Sequence, residues 1–130
     1  MLADRYGYAE TKTVIIAEGV ETALSLKEAG AHATIVAAQG ISNIKNYAGP
    51  ESRIVIAGDN DTDKATERTS EMLRYLRQHF MKQGKTVLSI QPNKPGYNFN
   101  DVLKEQGISA VRGFLRGIEP HTEKDKSLSQ

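Results

Sequence analysis

Three short apolar runs along this chain each lead to an acid. Thr13-Val14-Ile15-Ile16-Ala17 leads to Glu18, Ile54-Val55-Ile56-Ala57-Gly58 to Asp59 and Asp61, and Val87-Leu88-Ser89-Ile90 to Asp101. Unbroken apolar runs of this length suit parallel strands buried on both faces. Parallel strands end along one edge of a sheet, so acids far apart in sequence meet there. Carboxylates crowded at one edge repel each other unless a cation separates them. Hard oxygen donors favour Mg²⁺, with Mn²⁺ able to substitute, over a soft metal, and such an ion points to phosphate chemistry.

Helical spacing alternates with these runs. Val20 to Ala29 predicts a short helix with Ala23, Leu24 and Leu26 near one face, ended by Gly30. Ala33 to Ala38 reads as a further buried strand, and Gln39-Gly40-Ile41-Ser42-Asn43 as a turn into a short helix capped by Ser42 or Asn43. The most regular helix runs from about Asp63 to Gln83, where Ala65, Thr69, Met72, Leu73, Leu76 and Phe80 recur at helical spacing. Lys85 to Gln91 supplies a fourth strand, and Pro92 to Gly96 a stiff loop. Two short helices are expected over about Asn100 to Glu105 and Ser109 to Leu115, separated by Gly107. This alternation predicts an α/β domain with a central, mainly parallel four-stranded sheet flanked by helices. It occupies residues 13–118, with a lead-in over 1–12 and a polar tail or linker over 119–130.

Composition removes several classes. The chain has no cysteine, which excludes a disulfide framework and a thiolate zinc site. Its histidines, His32, His79 and His121, are too scattered for a local ligand pair. No apolar stretch approaches the roughly 20 residues that span a bilayer, so a cytoplasmic protein with no membrane partner is expected. The net charge of +1 decides little about nucleic acid, because a binding surface is local.

Glu18-Gly19 at the end of one strand and Asp59-Asn60-Asp61 at the end of a later one resemble the pattern of the Toprim domains. These occur in primases, type IA and II topoisomerases, recombination-associated proteins and some nucleases. The resemblance is closer to the branch found in phage, plasmid and conjugative (relaxase and primase) proteins, through Glu18 to Ser25 and Phe99 to Leu103. It covers roughly Thr13 to Leu115. Asn98 stands where that branch commonly has an acid.

The resemblance implies a Toprim, Rossmann-like fold and Mg²⁺-dependent chemistry on nucleic acid, as the nucleotidyl-transfer core of a primase-like protein. Asp59 and Asp61 would hold the cation, with Asp101 assisting directly or through water. Glu18 would act as general acid/base or as a ligand, and one or two metals are compatible with the set. Asp61, Thr62 and Asp63 are also candidate caps of the following helix, and Asp63 is assigned to that cap. Gly19 is read as allowing a sharp turn and close approach of substrate to the backbone. Lys45, Lys64, Arg68 and Lys94 are the candidate contacts to a phosphate backbone, and Gln39 to Asn43 a weaker one. Tyr97 is a candidate base-stacking residue, whereas Phe99 reads as an anchor for its loop. The implied partners are single-stranded DNA, nucleotides and other domains of a larger parent protein. A Toprim nuclease or strand-cleaving module, a non-catalytic metal- and DNA-binding module of a conjugative relaxase, and an unrelated domain for a small phosphorylated ligand are the alternatives.

Overall fold

The computed structural model describes residues 4–7, 12–60 and 64–118, and the side chains of 4–7 and 64–68 are not described. Each apolar run becomes a strand: β2 (Thr13–Ala17), β3 (Thr34–Ala37), β4 (Arg53–Ala57) and β5 (Thr86–Ile90). These four are parallel and lie in the order β3-β2-β4-β5. The lead-in adds a fifth strand, β1 (Asp4–Gly7), antiparallel to β3 at the edge. Its sequence, Asp-Arg-Tyr-Gly, carries no apolar run, so its pairing rests on main-chain hydrogen bonds that composition does not announce.

Alternate side chains of the parallel strands feed two cores. Ile15, Ala17, Ile35, Ala37, Val55 and Ala57 face helices α1 (Val20–Glu28), α3 (Phe99–Gln106) and α4 (Ile108–Arg116). Val14, Ile16, Val36, Ala38, Ile54 and Ile56 face a 3₁₀ helix (Ile41–Asn46) and helix α2 (Lys64–Met81). Both faces are covered, which is why the runs are continuous rather than alternating. Ala17, Ala37 and Ala57 share one row across β3, β2 and β4. All three pack in one core with Ala23 and Leu26 of α1.

Two local expectations change. Leu24 is 46% exposed while Ala23 and Leu26 are fully buried, because one residue turns about 100° around a helix and moves Leu24 off the buried stripe. The 3₁₀ helix starts at Ile41 after Gly40, so neither Ser42 nor Asn43 is its cap. Asn43 instead donates its side-chain N–H to Ala38 O and Gln39 O, at 3.0 and 3.2 Å. These bonds brace Gln39, the one non-glycine residue with positive φ (58°) among those described. In α2, Leu76 and Phe80 are fully buried four residues apart, each contributing about 1.5–3 kcal/mol of apolar transfer.

The amino ends of the strands hold a closed polar cluster. The buried Tyr47 hydroxyl donates to the buried Glu51 carboxylate, and the Lys85 ammonium donates to Gly49 O at 3.1 Å and Glu51 O at 2.6 Å. Nearby, Arg53 and Thr13 line a cavity of about 20 Å³, space for about one water. Burial pushes the Arg53 guanidinium below its ordinary range.

Candidate metal and nucleic-acid site

The connection from β2 through α1 leads to β3 on one side, while the next connection leads to β4 on the other. The carboxyl ends of β2 and β4 therefore flank the point where strand order reverses, the usual crevice of an open α/β sheet. Glu18 leaves β2 there and Asp59 leaves β4 there, one residue after Gly58. The ladder continues into the site: Glu18 N–H donates to Ala57 O at 3.1 Å, and the Glu18 carbonyl accepts from Gly40 N–H at 2.8 Å. Glu18 Oε2 accepts from the Asp59 N–H at 3.3 Å, and Thr22 Oγ1 donates to Asp59 Oδ1 at 3.4 Å. Both acids are half-buried. Two carboxylates thus converge on register-matched strand ends, a donor set that fits a hard divalent cation, since Mg²⁺ is commonly held by one or two carboxylates with water and phosphate oxygens.

Asp101 behaves differently. It is the third residue of α3, where Asn98 Oδ1 accepts from Asp101 N–H at 2.8 Å and Asp101 Oδ2 accepts from Asn98 N–H at 2.9 Å. This reciprocal capping box directs the carboxylate to its own helix end. Among the described residues, no three acidic or imidazole groups gather closely enough to hold a metal, so Asp101 does not complete a triad with Glu18 and Asp59. Asp61 and Asp63 lie outside the described residues, as do the side chains of Lys64 and Arg68.

A Toprim domain family model matches residues 13–109. The chain belongs to the Toprim family. The fold is also similar to the crystal structure of the Aquifex aeolicus primase (zinc-binding and RNA polymerase domains), with a TM-score of 0.60 at 18% identity. That match covers 82% of this chain but only 26% of the primase chain, so this Toprim domain spans about a quarter of that structure's length. No curated protein matches the chain.

The remaining predicted residues of the Toprim domain separate by place. Gly19 precedes α1 with φ −133°, an extended conformation open to any residue, and nothing lies within 4 Å of an added Cβ. The turn therefore does not require glycine, and the space beside Gly19 is open. Lys45 lies at the far end of the 3₁₀ helix, where its carbonyl is 2.9 Å from Nε2 of His79 in the last turn of α2. That position is away from the carboxyl edge, because α2 runs back from the end of β4 towards the start of β5. Lys94 lies on the β5–α3 loop with its ammonium 4.7 Å above the Tyr97 ring and 3.7 Å from Glu105 Oε1. The Tyr97 hydroxyl donates to Glu105, and Lys94 occupies one face of this candidate stacking ring. Phe99 is fully buried and meets Phe114 edge-on at 5.1 Å, as its anchoring role predicts.

Sequence reading misses the residues that join these elements. Thr22, buried in the first turn of α1, touches Asp59 across the strand boundary. Asn100 donates to Glu21 Oε2 at 3.0 Å and lies 3.4 Å from Ser25 Oγ, tying the start of α3 to α1. A polar residue one turn after Glu18-Gly19 is the signal that Thr22 offers. Asn100 offers none, since its partners are about 75 residues away.

Proposed function

We propose that this Toprim domain is the metal-dependent catalytic core of a primase-like nucleotidyltransferase acting on nucleic acid. The observation that carries the reading is the pairing of Glu18 and Asp59 at the β2–β4 switch point, within a family that includes primases. The primase neighbour supports it at the level of fold. Asp59, with Asp61, would hold Mg²⁺, for which Mn²⁺ can substitute, with Asp101 assisting directly or through water. The bound ion would neutralise nucleotide phosphates and favour ionisation of the attacking hydroxyl. Glu18 would accept that hydroxyl proton at Oε1 or Oε2, while Thr22 and the Asp59 main chain hold both carboxylates in place. The space at Gly19 would admit the substrate backbone, and Lys64, Arg68 and Lys94 would face its phosphates. Single-stranded DNA and nucleotides are the partners, in the cytoplasm, with the remaining catalytic parts on other domains of a parent protein. The resemblance of Glu18 to Ser25 and Phe99 to Leu103 to phage, plasmid and conjugative proteins supports a setting in mobile-element DNA processing.

The test is primer synthesis on a single-stranded template with labelled nucleotides, in Mg²⁺ and in EDTA. Weak, metal-dependent synthesis by the wild type, abolished by Asp59→Asn, is the expected result. Mg²⁺-dependent plasmid nicking without synthesis identifies a strand-cleaving domain instead. Metal and DNA binding without either product identifies a binding module.

A further inference from the structure

Asn60 is the residue between Asp59 and Asp61, and it is bonded to a single distant loop through its main chain and side chain together. Its N–H donates to Tyr97 O at 2.8 Å, and its carbonyl accepts from Gly96 N–H at 2.6 Å. Its side-chain Nδ2 donates to Pro92 O at 2.7 Å. The loop it grips is stiff, because Pro92 and Pro95 fix φ, Pro92 is buried, and Phe99 anchors the next helix in the core. Gly96 adopts φ 83°, which turns its N–H toward Asn60 where a β-carbon would be strained. On the other side, Asp59 is held by Glu18 and Thr22. Asp59 and Asn60 are thus clamped between the β2 end and the 92–97 loop.

We propose that Asn60 is a positioning residue for the metal site, whose side-chain amide fixes the course of the chain beside Asp59 by locking it to Pro92. The proposal rests on the metal reading above. It also makes the 92–97 loop, which carries Lys94, part of the same mechanical unit as Asp59. Only the side-chain bond depends on the residue at 60; the main-chain pair would persist with any residue. An aspartate at 60 would set a carboxylate against the Pro92 carbonyl, whereas an alanine would leave that carbonyl without its donor.

The experiment measures Mn²⁺ affinity by calorimetry and the bound-Mn²⁺ spectrum by electron paramagnetic resonance, with melting temperatures in EDTA. Asn60→Ala should weaken Mn²⁺ about 10–100-fold, as outer-shell partners typically do, and alter the spectrum. Asn60→Asp should weaken it at least as much, despite the added negative charge. Tyr47→Phe, remote from the site and destabilising, should leave Mn²⁺ affinity unchanged. Wild-type affinity in Asn60→Ala, while Asp59→Asn loses the ion, overturns the proposal and leaves the metal reading standing. Equal weakening in Tyr47→Phe overturns it as well, since the loss is then general destabilisation. A wild type that takes up no Mn²⁺ removes the metal reading and this proposal with it.

Discussion

The two ends of the sheet carry polar clusters built on opposite terms. At the amino ends, Tyr47, Glu51 and Lys85 satisfy one another and nearby carbonyls, with Tyr47 and Glu51 only 6% and 7% exposed. At the carboxyl ends, Glu18 and Asp59 are half-exposed, with Glu18 accepting from the Asp59 main-chain N–H and Asp59 from the Thr22 hydroxyl. A closed cluster spends its charge on the fold, since burying an unpaired carboxylate costs several kcal/mol. A half-exposed pair of carboxylates stays within reach of a ligand from solvent. Substitutions should therefore separate cleanly, changing stability at one end and chemistry at the other.

The sharpest break between the ends comes from Glu18→Gln. A general acid/base acts in the transition state, so this near-isosteric change should lower turnover about 10²–10⁴-fold and leave ground-state Mn²⁺ affinity and the melting temperature nearly intact. Parallel Mn²⁺ titrations of Glu18→Gln and Asp59→Asn decide the matter. If both lose the ion equally, Glu18 is a ligand and the division of labour at this edge is wrong.

The amino-end cluster should respond in the opposite way. Tyr47→Phe removes the hydroxyl that serves the buried Glu51 carboxylate and should cost about 1–3 kcal/mol. Gly49→Ala should cost a similar 1–3 kcal/mol through overpacking, because an added Cβ would run into the Tyr47 hydroxyl and come within 2.6 Å of Glu51 Oε1. Urea unfolding measures both. Unchanged stability in either variant would show that this end is less tightly closed than its hydrogen bonds imply.

The same contrast explains what the sequence reveals. Strands and their burial are legible because Val14 to Ala17 or Ile54 to Ala57 must be covered on both faces, and parallel register then brings Glu18 and Asp59 together without further information. Gly30, Gly84 and Gly107 mark element ends by their positive φ, as helix terminators do. The β5–α3 loop is less legible. Asp101 looks like a third ligand by order along the chain, yet Asn98 three residues before it makes a capping box, a local pattern that competes for the same carboxylate. Lys45 looks close to the edge because it follows β3, but the 3₁₀ helix carries the chain back across the sheet before β4 begins. Asn60 and Thr22 depend on partners in other elements, which periodicity does not encode.

The smallest effect concerns Lys94, where loop and site meet. The Tyr97 hydroxyl, then the Glu105 carboxylate, holds its ammonium above the ordinary lysine range by favouring the charged form. A raised folded-state pKa means that the contribution to stability is present below the unfolded lysine value and fades as pH rises through the folded one. The group is exposed, so solvent screens the interaction and the change in stability should be slight. The titration itself is the better readout. Carbon-13 shifts of the Lys94 side chain should show a midpoint that falls toward the ordinary value in Glu105→Gln. If Lys94 also meets phosphate, Lys94→Ala should flatten the salt dependence of single-stranded DNA binding by about one unit of slope, whereas Lys45→Ala, at the opposite end, should leave it unchanged. Equal slopes for Lys94→Ala and the wild type, measured by fluorescence anisotropy, would confine Lys94 to its contacts with Tyr97 and Glu105 and leave the nucleic-acid path to residues at the start of α2.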